Sequence, residues 1–298
     1  MSDADPDVSN GLVTLDEGHL AVLTRLDGAI CDWARACGAR QQRFPALQSA
    51  ADLQRIDYFA NFPHLGLAVA PIAQSELTAV TLEAKEGGVA IPSRVLEAPR
   101  FMLPSAACYP VYSQLRGRTL TAPSLVTTVQ QCFRNEDRYE GLRRLWAFTM
   151  REIVIVGALE SVRSFIQQSK DWISTFGGHV GLTLHIRPAT DPFFDRQGSR
   201  ALMQHLFTVK EEFLHDDSVA VSSVNFHRNF FAEKWDIRLQ DGSFAYSACV
   251  AFGLERWLGA FLDRNAGNCA EALRAIDVGS HMATERLRST PPAQVTLF

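Results

Sequence analysis

The run CFRNEDRYEGLRRLWAFTMREIVIVG, Cys132 to Gly157, constrains the fold more than any other stretch of the chain. Two β-rich segments, SLVTTVQQCFRNE (124–136) and RLWAFTMREIVIVG (144–157), flank the polar, glycine-containing DRYEGLR, so the simplest reading is a pair of long strands joined by a charged loop. Side chains alternate faces along a strand: Arg134 shares a face with Glu136, and Phe148 shares one with Met150 and Glu152. Arginine binds phosphate bidentately, a carboxylate accepts from an amino group, and an aromatic ring stacks on a base. The loop adds Arg138, Arg143 and Arg144, enough positive charge to hold a polyphosphate. A surface hairpin with cross-strand ion pairs, each worth about 0–1 kcal/mol, would carry the same residues.

Helical spacing of Leu20, Leu23, Leu26, Ile30 and Trp33 predicts a helix from Leu15 to Cys37, stopped at Gly38. A second helix is expected over 49–62, capped by Ser49 and ended by Pro63, and a third over 75–90. After the charged strands, 159–176 reads as a helix, 180–189 as a strand and 197–214 as a helix. Strands return at VAVSSVNFH, KWDIRLQ and GSFAYSACVAFG, a meander turning at Asp241-Gly242. A closing helix covers Leu254 to Asn265, with a polar tail after it. Consecutive strands with helices before and after them predict an α+β fold, an antiparallel sheet flanked by helices.

At 298 residues with 47% hydrophobic content, the chain can bury a substantial core. Residues 1–12 read as a disordered lead and 13–298 as a single domain with a helical insertion near 190–215. The acidic N-terminus lacks a secretory pattern, and no run of about 18 apolar residues occurs. A cytoplasmic protein with no membrane partner is expected. A net charge of −4 argues against a long nucleic-acid footprint. The six cysteines lack framework spacing and include no CxxC, so free thiols or ligands gathered from distant segments are expected rather than disulfides.

A second motif alters the weighing of the charged strands. SACVAFGLERW (247–257) runs from strand into helix with Gly253 at the junction and Arg256 in the first turn, where helix amides and a guanidinium can meet a terminal phosphate. Taken together, FRNE (133–136) with RLWAFTMRE (144–152) resembles motif 2 of class II aminoacyl-tRNA synthetases, and GLER (253–256) resembles motif 3. The resemblance implies an ATP site in which Arg134 holds the α-phosphate, Glu136 meets adenine, Arg144 and Arg256 grip the outer phosphates, and Phe148 stacks on adenine opposite Arg256. It also implies a homodimer and Mg²⁺ on the phosphates. The acid expected before motif 3 is missing from GSFAYSA, and Glu233 is the nearest candidate for Mg²⁺.

ACYPVY (107–112), Glu152 and Cys249 narrow the likeness to seryl-tRNA synthetase homologues of the atypical, zinc-dependent type. Two thiolates and a carboxylate leave one position of a tetrahedral zinc open for substrate. Strand parity with Arg134 would nominate Cys132 as well; the family pattern favours Cys108. The chain is most similar to the truncated members of that group, the amino acid:[carrier protein] ligases, with similarity extending through YFANFPHL (58–65), ATDPFFDRQG (189–198) and SSVNFHRNFF (222–231). That resemblance implies ATP-dependent activation of a small amino acid, glycine or alanine, and transfer to the phosphopantetheine thiol of a carrier protein instead of tRNA. Zn²⁺ would be held by Cys108, Glu152 and Cys249. Arg196, Arg200 and Lys210 would be docking contacts for an acidic carrier. An adenylate-forming enzyme with another acceptor, and a synthetase-like binding subunit without turnover, are the alternative readings.

Overall fold

The computed structural model describes residues 6–85, 90–195, 197–198 and 208–289. Its centre is a seven-stranded sheet built from β3 (Arg40–Gln41), β4 (Ser124–Phe133), β5 (Ala147–Gly157), β6 (Leu184–Pro188), β7 (Lys210–His215), β8 (Val219–Arg228) and β9 (Tyr246–Gly253). The strand order is β6-β7-β8-β9-β5-β4-β3, antiparallel except for the β3–β4 pair. The charged run of the sequence is thus β4, a loop and β5 near the middle of the sheet, where pairing on both sides holds every side chain to one face.

The back face is apolar. Ile153 and Ile155 of β5, Ala248, Val250 and Phe252 of β9 and Phe213 of β7 pack on helices α1 (Glu17–Ala36), α6 (Leu159–His179), α8 (Leu254–Arg264) and α9 (Cys269–Ser289), four of the nine helices numbered here. Trp33 of α1 stacks on Trp172 of α6 at 4.4 Å and 9°, and both are fully buried, so truncating either to alanine should cost about 3–5 kcal/mol. Arg151 also points back; its Nε and Nη2 meet the two oxygens of Asp27 at 2.7 and 2.6 Å. Charge on the strand is therefore divided: Arg151 ties the sheet to α1, while Glu152 faces the other way. The front face carries the shorter helices α2 (Ala50–Arg55), α3 (Tyr58–Asn61), α5 (Tyr109–Gln114) and α7 (Phe230–Trp235), and α4 (Leu77–Lys85) is a short helix with no buried residue.

Several sequence expectations are corrected by tertiary context. Residues 7–12, expected to belong to a disordered lead, join Val13 and Thr14 in a hairpin of β1 (Asp7–Ser9) and β2 (Leu12–Thr14). Asn10 and Gly11 both have positive φ, 52° and 73°, the backbone a tight hairpin turn requires. The Gly11 carbonyl accepts from the Trp146 N–H at 2.8 Å, which pins the hairpin beside β5. The single helix expected over 49–62 breaks at Asp57, whose φ of 57° is left-handed, giving α2 and α3. The helix expected over 197–214 ends as strand β7: Phe213 faces the back core while Lys210 and Glu212 face front, a period-two pattern that the run of charges concealed. Residues 199–207 of that expectation lie outside the described residues.

KWDIRLQ was expected to be a strand, yet α7 occupies Phe230–Trp235 and ends at Asp236 with φ 52°; only Arg238–Leu239 is extended. The described part of the expected polar tail contains the 21-residue helix α9. Its buried positions Cys269, Ala272, Ile276 and Ala283 keep helical spacing but are mostly small, so hydrophobicity alone marks them weakly. Gly279 lets α9 approach α6, since a Cβ there would lie 2.6 Å from Val180 Cγ1. Among the described residues no helix is long and apolar enough to cross a membrane.

Candidate active site

Two adjoining cavities open on the front face of the sheet. The larger, about 430 Å³, is lined by Cys108, Glu152, Cys249, Asn225 and His227 together with a ring of aromatic side chains. The smaller, about 90 Å³, is lined by Glu136, Arg143, Phe148, Glu212, Glu255 and Arg256 among others. Arg134, Met150, Lys210, Ser223 and Ala251 line both.

Register explains the first cavity. Asn225 of β8 sits opposite Cys249 of β9, and Ala251 sits opposite Glu152 of β5, which brings Cys249 and Glu152 into adjacent rows on one face. Cys108 arrives from outside the sheet, at the residue preceding α5. The ligand atoms of Cys108, Glu152 and Cys249 lie within 4.8 Å of one another, and all three residues are buried. One oxygen of Glu152 accepts from the Ala107 N–H at 2.8 Å; the other is buried without a hydrogen-bond partner among the described residues. The neighbouring Cys249 sulfur and then burial hold the Cys108 thiol well above its usual range, and burial raises Glu152 above the usual carboxylate range. Three groups whose anions are all disfavoured, with one carboxylate oxygen unmet, form a donor set that a divalent cation would complete.

Around that group, Asn225 Nδ2 donates to Cys249 Sγ at 3.4 Å, and His227 Nε2 lies 3.7 Å from the same sulfur. His227 Nδ1 is 3.0 Å from the Tyr112 hydroxyl. Burial lowers the His227 pKa to about 4, which keeps the ring neutral at pH 7. Cys132 faces Phe148 across the β4–β5 pair and lies outside the group of three; its thiol donates to the Gln130 carbonyl at 3.8 Å.

The second cavity gathers the motif 2 and motif 3 side chains. The Arg134 guanidinium, just past the end of β4, donates from Nε and Nη2 to the Ser105 carbonyl at 3.3 Å and lies 5.0 Å over the Phe148 ring. Arg256 donates to the Arg143 carbonyl and the Ala220 carbonyl, both at 2.9 Å. Burial and then the Arg134 charge lower its pKa, the mark of a cation without enough anions around it. Glu255 takes the Thr149 N–H with both carboxylate oxygens, at 2.8 and 2.7 Å, and so locks the start of α8 to β5. Arg144 pairs with Glu136 at 2.6 Å.

Of the sequence-derived residues, Arg134, Glu136, Phe148 and Arg256 line the smaller cavity, and Arg144 holds one of its acids. Glu233 does not belong to the site. It is exposed on α7, accepts from Asn229 Nδ2 at 2.5 Å and lines neither cavity, because its helix projects it outward. Lys210 is not a surface docking contact either: its side chain is 14% exposed and ion-paired inside the site. Arg196 and Arg200 lie outside the described residues. Sequence reasoning missed Asn225, Asp191 and Tyr112 and left His227 as a structural histidine; their parity with Cys249 or Cys108 becomes visible only through sheet register and the docking of α5.

No protein-family model matches the chain. Among solved structures, M. kandleri seryl-tRNA synthetase in complex with A. aeolicus tRNASec superposes with a TM-score of 0.78 at 20% identity, covering 97% of this chain and 59% of that one. Pyrococcus horikoshii seryl-tRNA synthetase complexed with ATP gives 0.61 at 12% identity, covering 85% and 53%. This chain therefore spans little more than half the length of either synthetase, and its fold is that of a class II aminoacyl-tRNA synthetase catalytic core.

Two curated relatives from Bradyrhizobium diazoefficiens narrow the class. Amino acid–[acyl-carrier-protein] ligase 1 is 31% identical over 258 residues, 83% of this chain and 78% of the relative. Ligase 2 is 34% identical over 227 residues, 72% of this chain and 66% of the relative. The chain belongs to the amino acid–[acyl-carrier-protein] ligase family.

Proposed function

We propose that the chain uses ATP to convert a small amino acid, glycine or alanine, to its aminoacyl-AMP and passes the aminoacyl group to the phosphopantetheine thiol of a carrier protein. The observation that carries this reading is the continuity of the two cavities. A thiol–thiol–carboxylate group lies in one, four cationic side chains line the other, and Arg134 and Lys210 stand in both.

Cys108, Glu152 and Cys249 would hold Zn²⁺, which would supply a Lewis acid for the substrate's α-amino nitrogen and select its neutral form. Arg134, released from the Ser105 carbonyl, would take the α-phosphate at the boundary of the cavities. Arg256, with the helix amides behind it, would take the outer phosphates. Glu136 and Arg144, paired with each other here, would exchange that contact for the adenine amino group and an outer phosphate. Phe148 offers its ring to the base. Mg²⁺ would enter with ATP as part of the substrate and neutralise the phosphates.

In the first step a carboxylate oxygen attacks the α-phosphorus. An O–P bond forms, the bridging bond to the β-phosphate breaks, and pyrophosphate leaves with that electron pair, so no proton changes hands. In the second, the carrier's sulfur attacks the carbonyl carbon, the C–O bond to phosphate breaks, AMP leaves, and the thiol proton passes to solvent. Both steps work through proximity and fixed charge. A net charge of −4 and a family named for carrier proteins favour a protein acceptor over tRNA. Docking of an acidic carrier is assigned to the stretch of chain leading into β7, with Arg196 and Arg200 as its contacts, and the protein is proposed to be a cytoplasmic homodimer.

The test is amino-acid-dependent ATP–pyrophosphate exchange across a full amino acid panel with zinc-replete protein, followed by thioester formation on phosphopantetheinylated carriers. Exchange is expected with glycine or alanine. A folded, zinc-loaded protein that exchanges with no amino acid would sink the proposal.

A further inference from the structure

The ammonium of Lys210 is the group the sequence reading placed at the surface and the structure places between the cavities. It begins β7, opposite Asn225, which in turn lies opposite Cys249; the three form one row across the front face. Two strand spacings, roughly 10 Å, separate the Lys210 backbone from that of Cys249, a gap that a lysine stem leaning inward can largely span. Its Nζ lies 3.1 Å from Asp191 Oδ1 and 3.0 Å from Glu212 Oε1. Asp191 lines the larger cavity and Glu212 the smaller, so the ion-paired triad straddles their boundary. Burial opposes the charge on Lys210, but the two carboxylates outweigh it and leave its pKa above the ordinary lysine value.

An ammonium has three N–H donors. One donates to Asp191, Glu212 pairs with the same ammonium, and the side chain lines both cavities beside Arg134. We propose that Lys210 is a catalytic residue of the first step, donating to the oxygen that joins the substrate carboxyl to the α-phosphate. Asp191 and Glu212 aim it from either side. This inference rests on the adenylate-forming reading above. Arg134 and Lys210 would share the charge of the mixed anhydride, which exists only where the cavities meet. Substrates confined to either cavity would gain much less from the lysine.

The experiment compares Lys210→Met and Lys210→Arg with the unaltered protein in two measurements. One is pyrophosphate exchange. The other is calorimetric binding of a non-hydrolysable ATP analogue and of an aminoacyl sulfamoyl adenosine, which spans both cavities. Lys210→Met should lower kcat/KM for exchange about 10²-fold or more and weaken the sulfamoyl compound by a similar factor. Its affinity for the ATP analogue should change only a few-fold, and zinc content should be unaltered. Lys210→Arg, which keeps the charge, should recover part of the loss. Equal weakening of both ligands would mark Lys210 as merely structural, and unchanged kinetics would remove its role; either overturns the inference. Silence of the unaltered protein toward every amino acid is a different result, which counts against the ligase reading and takes this inference with it.

Discussion

Replacing Glu152 with glutamine should change stability with opposite sign in the absence and presence of zinc. The substitution keeps the shape of a side chain that is 1% exposed. The amide oxygen can still accept from the Ala107 N–H, while the amide nitrogen replaces the oxygen that is buried without a hydrogen-bond partner among the described residues. In metal-free protein the variant sheds a buried, uncompensated acid beside two thiols, and relief of such a group is worth about 1–3 kcal/mol. For a chain of this size each kcal/mol moves the melting temperature by about 2 °C. With free zinc at a thousand times its dissociation constant, the unaltered protein gains about 4 kcal/mol by mass action, which the variant forgoes because an amide is a far poorer ligand. Scanning calorimetry in chelator and in zinc, with metal content measured on the same samples, should therefore show the two melting curves changing places. A variant that melts lower in chelator, or that binds one zinc as tightly as the unaltered protein, would refute the assignment of this group as a cation site.

Cys108→Ala and Cys249→Ala should lose zinc and exchange activity while retaining ATP-analogue binding, whereas Cys132→Ala should keep its metal; equal zinc in all three would reject the ligand set. Arg256→Ala should lower kcat/KM for ATP about 10²–10³-fold, since it removes a desolvated cation from the nucleotide cavity and frees the Arg143 and Ala220 carbonyls it ties together. Exchange kinetics that match the unaltered protein would remove that role.

Much of the front face was legible because its chemistry is written in local motifs. FRNE and GLER mark the end of a strand and the start of a helix, and strand parity placed Phe148 with Glu152, whereas Arg134 and Glu136, expected on the strand, lie just past its end at Phe133. The hairpin at residues 7–14 was missed although Ser-Asn-Gly-Leu contains a turn signal, because the acidic residues before it outweighed that signal. Glu233 and Lys210 show the opposite error. Each was judged by charge and position along the chain, yet one points outward from α7 and the other inward from β7.

The sequence by itself determined the class of fold through its ordered motifs, and its resemblance to a known family, rather than alternation, nominated Arg134, Glu136, Phe148 and Arg256 for one cavity and Cys108, Glu152 and Cys249 for the other. Only the tertiary structure decided which acids and which lysine belong to the site. Asn225, His227, Asp191 and Lys210 reach it through strand register and through segments folded over the sheet, and those contacts are set by the summed packing of distant residues. No local pattern encodes them.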